Sequence, residues 1–519
     1  MEKIYTYKFP YFPEYTSITK GMPVSLDEHG NVWPGAGLTI YRDSNYEEIT
    51  YEMKNVKAKK LEGDLILVAF EGGITAFKGT AKGYTIQSNT VELLTEKHEP
   101  IPVRELVAMG DRRFIIVART HLIPIEVVVT RKDKEININI LKGEVYSLPN
   151  DDDKYPHVDN LSNTTFAIIC EQSYMLATMV GKWTGEGTSS KLEVTVPYQF
   201  HMRLNFHGIA GIDENHYIIT ATGKVYNYTE SHPTVLSWLC TVEDGYVNIQ
   251  DHIRLPFTFS DNWFGMDNIG NSHVIMVYAD AITNGIKGVM ITYNREENKI
   301  QYGANVVIQN GGSILDYDKM DITVLDNRKF VITYEDAGAH GLVMITGART
   351  DSNDIVVTSP AYIVSRPSRE EHYEGFWFDV APYNSEHFGI IEVKRVNGRR
   401  YTRFDLVATY PRVLGIAKND GKGTVKKEND HSHTGTPQKS TVDIQLGGVF
   451  TVTGKKKFTP GRAIYTNSKG DLIESYPYGY VTRDFGTFYV VDKESNSVLD
   501  KKNLIGIAVT SKKIKMKLN

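Results

Sequence analysis

A short buried-strand phrase recurs seven times at a near-constant interval, and this limits the fold more than any other feature of the chain. Turn-forming residues lead each time into β-branched and aromatic residues. Gly63-Asp64 leads into Leu65-Ile66-Leu67-Val68, Gly110-Asp111 into Phe114-Ile115-Ile116-Val117, and Asn163 into Phe166-Ala167-Ile168-Ile169. Asp213-Glu214-Asn215 leads into Tyr217-Ile218-Ile219-Thr220, and Gly270-Asn271 into Val274-Ile275-Met276-Val277. Asp326-Asn327 leads into Phe330-Val331-Ile332-Thr333, and Asn384-Ser385 into Phe388-Gly389-Ile390-Ile391. Such phrases are a turn followed by a buried strand. Successive first strand residues lie between 49 and 58 residues apart. Four-stranded propeller blades repeat at roughly 40–50 residues. The chain is therefore expected to be all-β, with a seven-bladed β-propeller over residues 45–411.

The flanks differ from the repeat. Residues 1–44 hold an N-terminal hairpin, Thr19 to Val32 with a His29-Gly30 turn, which reads either as a docking segment or as a strand donor that closes the last blade. Residues 412–519 are richer in basic residues and read as a small β-barrel or sandwich domain for attachment or oligomerisation. Two phrases bracket that region, Val413-Leu414-Gly415-Ile416-Ala417 and Leu504-Ile505-Gly506-Ile507-Ala508, and their strands are expected to be adjacent. A length of 519 residues suits two or three domains.

Bulk properties narrow the function classes. A net charge of -5 argues against a nucleic-acid partner. No apolar run approaches the roughly 18 residues of a membrane span, so no membrane insertion is expected. Two cysteines, Cys170 and Cys240, in so long a chain point to free thiols and a reducing compartment. Met1 to Pro10 contains no apolar signal core, so the protein is expected either to be cytosolic or to leave its cell by a route that needs no signal, such as lysis.

The C-terminal pattern resembles a known kind of module. A Gly-Ile-Ala opening, a valine-rich strand ending in Gly448-Val449, then Pro460-Gly461-Arg462-Ala463-Ile464-Tyr465 with Gly470, and a closing Gly-Ile-Ala before a Lys-rich strand are similar to a small β module of tailed-bacteriophage virion proteins, especially fibres and capsid decorations. Gly21-Met22-Pro23-Val24-Ser25-Leu26-Asp27-Glu28-His29-Gly30 echoes the same hairpin. The resemblance covers about a fifth of the chain. It implies a virion surface protein, with other virion proteins as partners and a homo-oligomeric state.

Several residues are candidates for chemistry. Trp263 and Asp267, and Trp377 and Asp379, place an aromatic near a carboxylate, a pairing that suits a host-surface carbohydrate because the ring covers a pyranose face and the carboxylate accepts hydroxyl hydrogen bonds. Against this stands the plain alternative that these aromatics pack blade against blade. His431 and His433 alternate at strand spacing, so three chains could surround a transition-metal ion on an oligomer axis, whereas one chain offers only two ligands. No other cofactor is expected. Asp151-Asp152-Asp153 reads as a solvated turn, and Asp316, Asp318 and Asp321 as strand-end charges or channel residues. Asp159, Asp213, Asp267, Asp321 and Asp379 recur near the anchor strands, where aspartate is a turn former. No nucleophile, metalloprotease or phosphate-loop motif occurs. The expectation is a non-enzymatic virion protein with a displayed propeller that binds a glycan or other receptor. The alternative is a propeller glycosidase working with paired carboxylates.

Overall fold

In the computed structural model the described residues cover 53–309 and 320–408 with short gaps, five strands between Thr6 and Glu48, and the strands between Gly415 and Met516. The chain divides into two compact units: residues 42–343 with 365–406, and residues 1–41, 344–364 and 407–519.

The first unit is a ring of blades. Seven strands open the successive blades: Lys57–Glu62, Val103–Gly110, Lys154–Asn160, Tyr198–Asp213, Phe259–Asn268, Asp321–Val324 and Tyr373–Pro382. Each lies against the opening strand of the next blade, and that of blade 7 lies against that of blade 1. The ring is closed, so the expected all-β, seven-bladed propeller is what the chain forms. The seven phrases of the sequence are the second strands, each paired antiparallel to the opening strand of its own blade.

The ring explains why second strands read as unbroken apolar runs. A second strand has a neighbouring blade on each face, so both sets of alternating side chains leave water. All six residues of Leu65–Phe70 and all eight of His273–Asp280 are buried. Leu65, Leu67 and Ala69 join Phe114 and Ile116 in the core between blades 1 and 2. Ile66, Val68 and Phe70 join Ile391, Val393 and Phe404 in the core between blades 7 and 1. Ile115 and Val117 meet Phe166 and Ile168, and Ala167 and Ile169 meet Tyr217 and Ile219. Cys170 and Cys240 are buried free thiols in two of these cores, as expected.

Blades 3 and 4 are one continuous sheet. The 16-residue strand Tyr198–Asp213 pairs through Tyr198, Gln199 and Arg203 with blade 3 and through Met202 to Asp213 with blade 4. Gly211 sits where this strand passes blade 3. A Cβ there would come within 2.2 Å of the Asn160 carbonyl oxygen, so the close approach requires glycine. The strand Glu47–Glu48 pairs with Tyr401 and Thr402 and adds the N-terminal contribution to blade 7.

The N-terminal hairpin goes elsewhere. Its strands, Pro23–Leu26 and Val32–Pro34, belong to a five-stranded sheet in the order Thr6–Tyr11, Ser440–Gln445, Gly415–Ala417, Pro23–Leu26, Val32–Pro34. A second five-stranded sheet has the order Val449–Thr451, Lys513–Met516, Leu504–Thr510, Ala463–Thr466, Leu472–Glu474. The two share one topology, and corresponding strands follow in the same chain order. Registers correspond as well. Val24 faces Gly415 as Ile464 faces Gly506, and Ala417 faces Ile444 as Ala508 faces Ile514. Val24 and Ile464 are both fully buried, at 0% exposure. Gly21 and Gly30 flank the first hairpin at the separation at which Gly461 and Gly470 flank the second. The Gly-Ile-Ala strands are therefore not adjacent, contrary to expectation. They are equivalent strands of two copies of one sheet. In the first copy residues 35–414, the whole propeller, stand between the third and fourth strands. In the second, residues 475–503 stand there.

This pairing predicts specific cross-links. Tyr7 faces Ile444 across antiparallel strands, and Phe450 faces Ile514. Cross-strand partners lie near the 5.5 Å Cα separation that suits a disulfide. Tyr7→Cys with Ile444→Cys, and Phe450→Cys with Ile514→Cys, are each expected to cross-link on oxidation. Tyr7→Cys with Ile514→Cys is expected not to. Non-reducing electrophoresis of protease-cleaved protein reads out all three.

Candidate functional site

The seven opening strands line the centre of the propeller, and their inward residues form its channel. Residues two apart on a strand share a face, so Lys57 with Lys59 and His157 with Asp159 project together. Among the described residues four inward carboxylates do the same job at four junctions. Glu105 of blade 2 accepts a hydrogen bond from the Val158 N–H of blade 3 (3.2 Å). Asp159 of blade 3 accepts from the Gly211 N–H of blade 4 (2.7 Å). Asp267 of blade 5 accepts from the Val324 N–H of blade 6 (2.9 Å), and Asp379 of blade 7 from the Ala58 N–H of blade 1 (2.5 Å). Each clasp satisfies a backbone donor that an inner edge strand leaves unpaired.

Blade 4 breaks the pattern for a visible reason. Asp159 and Asp267 face the residue one beyond the anchor, Ala167 and Ile275, and the blade 4 residue at that register is Ala210. Asp213 comes three residues after Ala210 and faces His216 at the turn, which puts it at the rim. The junction of blades 4 and 5 is made instead by Asn268 Nδ2, which donates to the Gly211 carbonyl (2.6 Å). On the rim Asp213 binds Arg295 of blade 5 (2.7 Å) and His216 Nδ1 (2.7 Å), and His216 Nε2 meets the Tyr293 hydroxyl (3.1 Å).

Charge in the channel falls into two groups. Lys57 Nζ lies 3.6 Å from Asp321 and 3.9 Å from Asp379. Burial works against the Lys57 charge, but Asp379, Asp321 and Glu105 outweigh it and hold the ammonium above the ordinary lysine range. Glu105 is held low despite its burial, chiefly by its ion pair and hydrogen bond with His157. Burial pushes Asp379 up to about 6 against the pull of Lys57. In the second group burial and the neighbouring Asp267 push Asp159 up to about 7. Asp267 is raised by burial, with Lys59 opposing.

Asp159 and Asp267 open onto a cavity of about 410 Å³. Asn160, Gly211, Ile212, Asp213, Asn268, Val324 and Asp326 complete most of its wall, so blades 3 to 6 all contribute. Its lining of carboxylates, amides and a few aliphatic carbons suits hydrogen bonding to a small polar molecule.

The structure separates the residues singled out in the sequence. Asp267 faces the cavity, while Asp379 lies with Lys57. Trp377 packs half-buried against the apolar core between blades 7 and 1. The Trp263 side chain, Asp151 to Asp153, Asp316, Asp318, His431 and His433 lie outside the described residues. Among the described residues no group of three or more His, Cys, Asp or Glu is placed to hold a metal ion, and no helix is long and apolar enough to cross a membrane. The recurring aspartates need correction. Asp159, Asp267, Asp321 and Asp379 are strand residues of the channel and not turn formers. Only Asp213 acts as one, accepting from the Asn215 N–H (3.0 Å). The signal was available in the sequence: Glu105, Asp159, Asp213, Asp267 and Asp321 follow one another at intervals of 54 residues.

No family model and no curated protein matches the chain. Solved structures that resemble it share little sequence. The Saccharomyces cerevisiae core factor is 7% identical with a TM-score of 0.42 over 75% of this chain, which spans 63% of that one. The Chaetomium thermophilum Nup170 N-terminal domain, solved with Nup53, is 8% identical with a TM-score of 0.40, covering 78% of this chain and 66% of that one. The Vanderwaltozyma polyspora Nup133 β-propeller domain is 11% identical with a TM-score of 0.38, covering 70% and 99%. The class defined by the strand ring is a seven-bladed β-propeller, and these likenesses concern fold alone.

The Lys57 group yields a pH-dependent prediction. Lys57→Met leaves Asp321 and Asp379 without the ammonium they share. Breaking one side of a buried pair costs about 3–5 kcal/mol, and the partial exposure of Lys57 lowers that to about 1–2 kcal/mol. The loss is expected to be largest at pH 8, where the carboxylates are ionised. It shrinks toward pH 4.5 as Asp379 takes a proton. Urea unfolding of wild type and variant at both pH values checks the sign.

Proposed function

We propose that the chain is a non-enzymatic structural protein of a phage particle, with its propeller displayed from a base made of small β modules. The observation that carries this reading is the double occurrence of one five-stranded topology, with the propeller standing inside a connection of the first copy. That arrangement makes the propeller a guest and the repeated module its carrier. The module's sequence pattern resembles that of phage fibre and decoration proteins. The clasps add support, because the carboxylates that a propeller glycosidase would use for acid–base work are bound to backbone amides of the next blade. The base joins other virion proteins and forms a homo-oligomer, and the propeller meets a host-surface glycan or other receptor.

Particle composition tests this. A tagged copy supplied to a producing culture should co-purify with intact particles through density-gradient centrifugation and appear on them by immunogold microscopy. Tag found only in the soluble fraction would overturn the reading.

One observation favours a polysaccharide-active enzyme as the second reading. Asp159, raised to about 7 and facing a cavity with Asp267, has the protonation state a general acid needs. Release of reducing sugar from host-surface polysaccharide, abolished by Asp159→Asn, would favour it. No release from wild type would remove it.

A further inference from the structure

The ring has a junction at which clasp, cavity and like charge coincide. Asp159 joins blade 3 to blade 4 through the Gly211 N–H, at the point where Gly211 already presses against Asn160. Its other oxygen accepts from the Asn160 N–H (2.9 Å). The cavity it lines is also lined by carboxylates from three other blades, Asp213 of blade 4, Asp267 of blade 5 and Asp326 of blade 6, and Asp267 acts on it by repulsion.

The charges facing it are unequally neutralised. Asp213 is matched by Arg295 and His216. Glu105 of blade 2 is matched by His157, which also packs edge-on to His207 of blade 4 at 5.1 Å. Asp326 accepts from the Lys329 N–H (2.6 Å). Asp321 of blade 6 is matched by Lys57 and adds to the repulsion on Asp267. Lys59 is a cation that acts on Asp159 and Asp267 and on Asp379 as well, so three buried carboxylates share one lysine. Such a cluster relieves its repulsion by holding a proton.

We propose that the Asp159 clasp is a proton-operated joint of the ring: a proton on Asp159 locks blade 3 to blade 4 beside the cavity, and its loss opposite Asp267 loosens that junction. A protonated carboxyl still accepts the Gly211 hydrogen bond through its carbonyl oxygen, so the lock keeps its geometry and sheds its charge. Burial and Asp267 raise this group in the closed ring above its value in an opened one. The closed form therefore binds more protons, and its advantage falls as pH rises. The lock is complete below the ordinary aspartate range near pH 4, weakens up to about pH 7, and is constant above that.

Hydrogen exchange of the full chain tests this, read by mass spectrometry from pH 4.5 to 8 after correction for intrinsic exchange. Peptides containing Gly211 should lose protection by about tenfold or more between pH 4.5 and 7, one pKa unit corresponding to tenfold. Peptides of the buried strand Leu65–Phe70 serve as the reference and should change less. Asp159→Asn keeps an acceptor for Gly211 and should abolish the pH dependence. Asp267→Asn removes the like charge and should compress the dependence toward lower pH. Flat protection in wild type, or an unaltered dependence in either variant, would overturn the proposal. If Asp159→Asn does not fold, the Asp267→Asn comparison decides alone.

Discussion

The hydrogen bond that a carboxylate on one blade's inner strand accepts from a backbone amide on the next is the contact on which this ring depends. A propeller's inner strands are sheet edges that converge on an axis, and each exposes backbone donors with no strand to pair them. Glu105, Asp159, Asp267 and Asp379 supply acceptors at four junctions among the described residues. Apolar packing between blades holds them together without fixing how far one slides past another. A directional bond at the inner edge does fix it. Asn268 and the Asp213–Arg295 pair take over where blade 4 carries Ala210 instead.

The same residues explain the channel's electrostatics. Carboxylates gathered around one axis repel, and the structure answers differently at its two groups. Lys57 stands among Asp321, Asp379 and Glu105, so that group is charged and paired. The group with Asp159 and Asp267 has less cation than carboxylate and a cavity beside it. A channel built to join blades has thus acquired the feature a binding or acid–base site would need, a polar cavity with a perturbed carboxyl.

Much of the fold was legible because the blade repeat acts on local pattern. Every second strand is buried on both faces, so each left the same apolar run in the sequence, and seven runs at near-equal spacing identified the architecture. The clasps were half legible. A 54-residue interval runs through Glu105, Asp159, Asp213, Asp267 and Asp321 and takes in three of the four clasps, but period alone does not separate a channel carboxylate from a turn former. Asp213 keeps the interval but lies three residues beyond Ala210, the blade 4 residue at the clasp register, and the period does not mark that offset. Trp377 and Asp379 are two apart, yet the tryptophan packs into the blade 7–1 core while the aspartate reaches Ala58. The two Gly-Ile-Ala phrases were legible as related but not as equivalent. Their separate partners lie at opposite ends of the chain for one copy and close by for the other, and only strand order reveals that.

One five-stranded topology occurs twice with different insertions, and the propeller, a self-closed ring, occupies a connection of the first copy. The account of that ring stands on the clasps being structural. The most direct test is the thermal midpoint at pH 5 of Glu105→Ala, Asp159→Ala, Asp267→Ala and Asp379→Ala, set against the exposed controls Glu92→Ala and Glu297→Ala. Each clasp truncation strands a backbone donor at a cost of about 1–3 kcal/mol. Each should therefore lower the midpoint by about 1–4 °C, while the controls stay near wild type. Clasp variants that melt with the controls would contradict the account and leave the channel carboxylates free for another purpose.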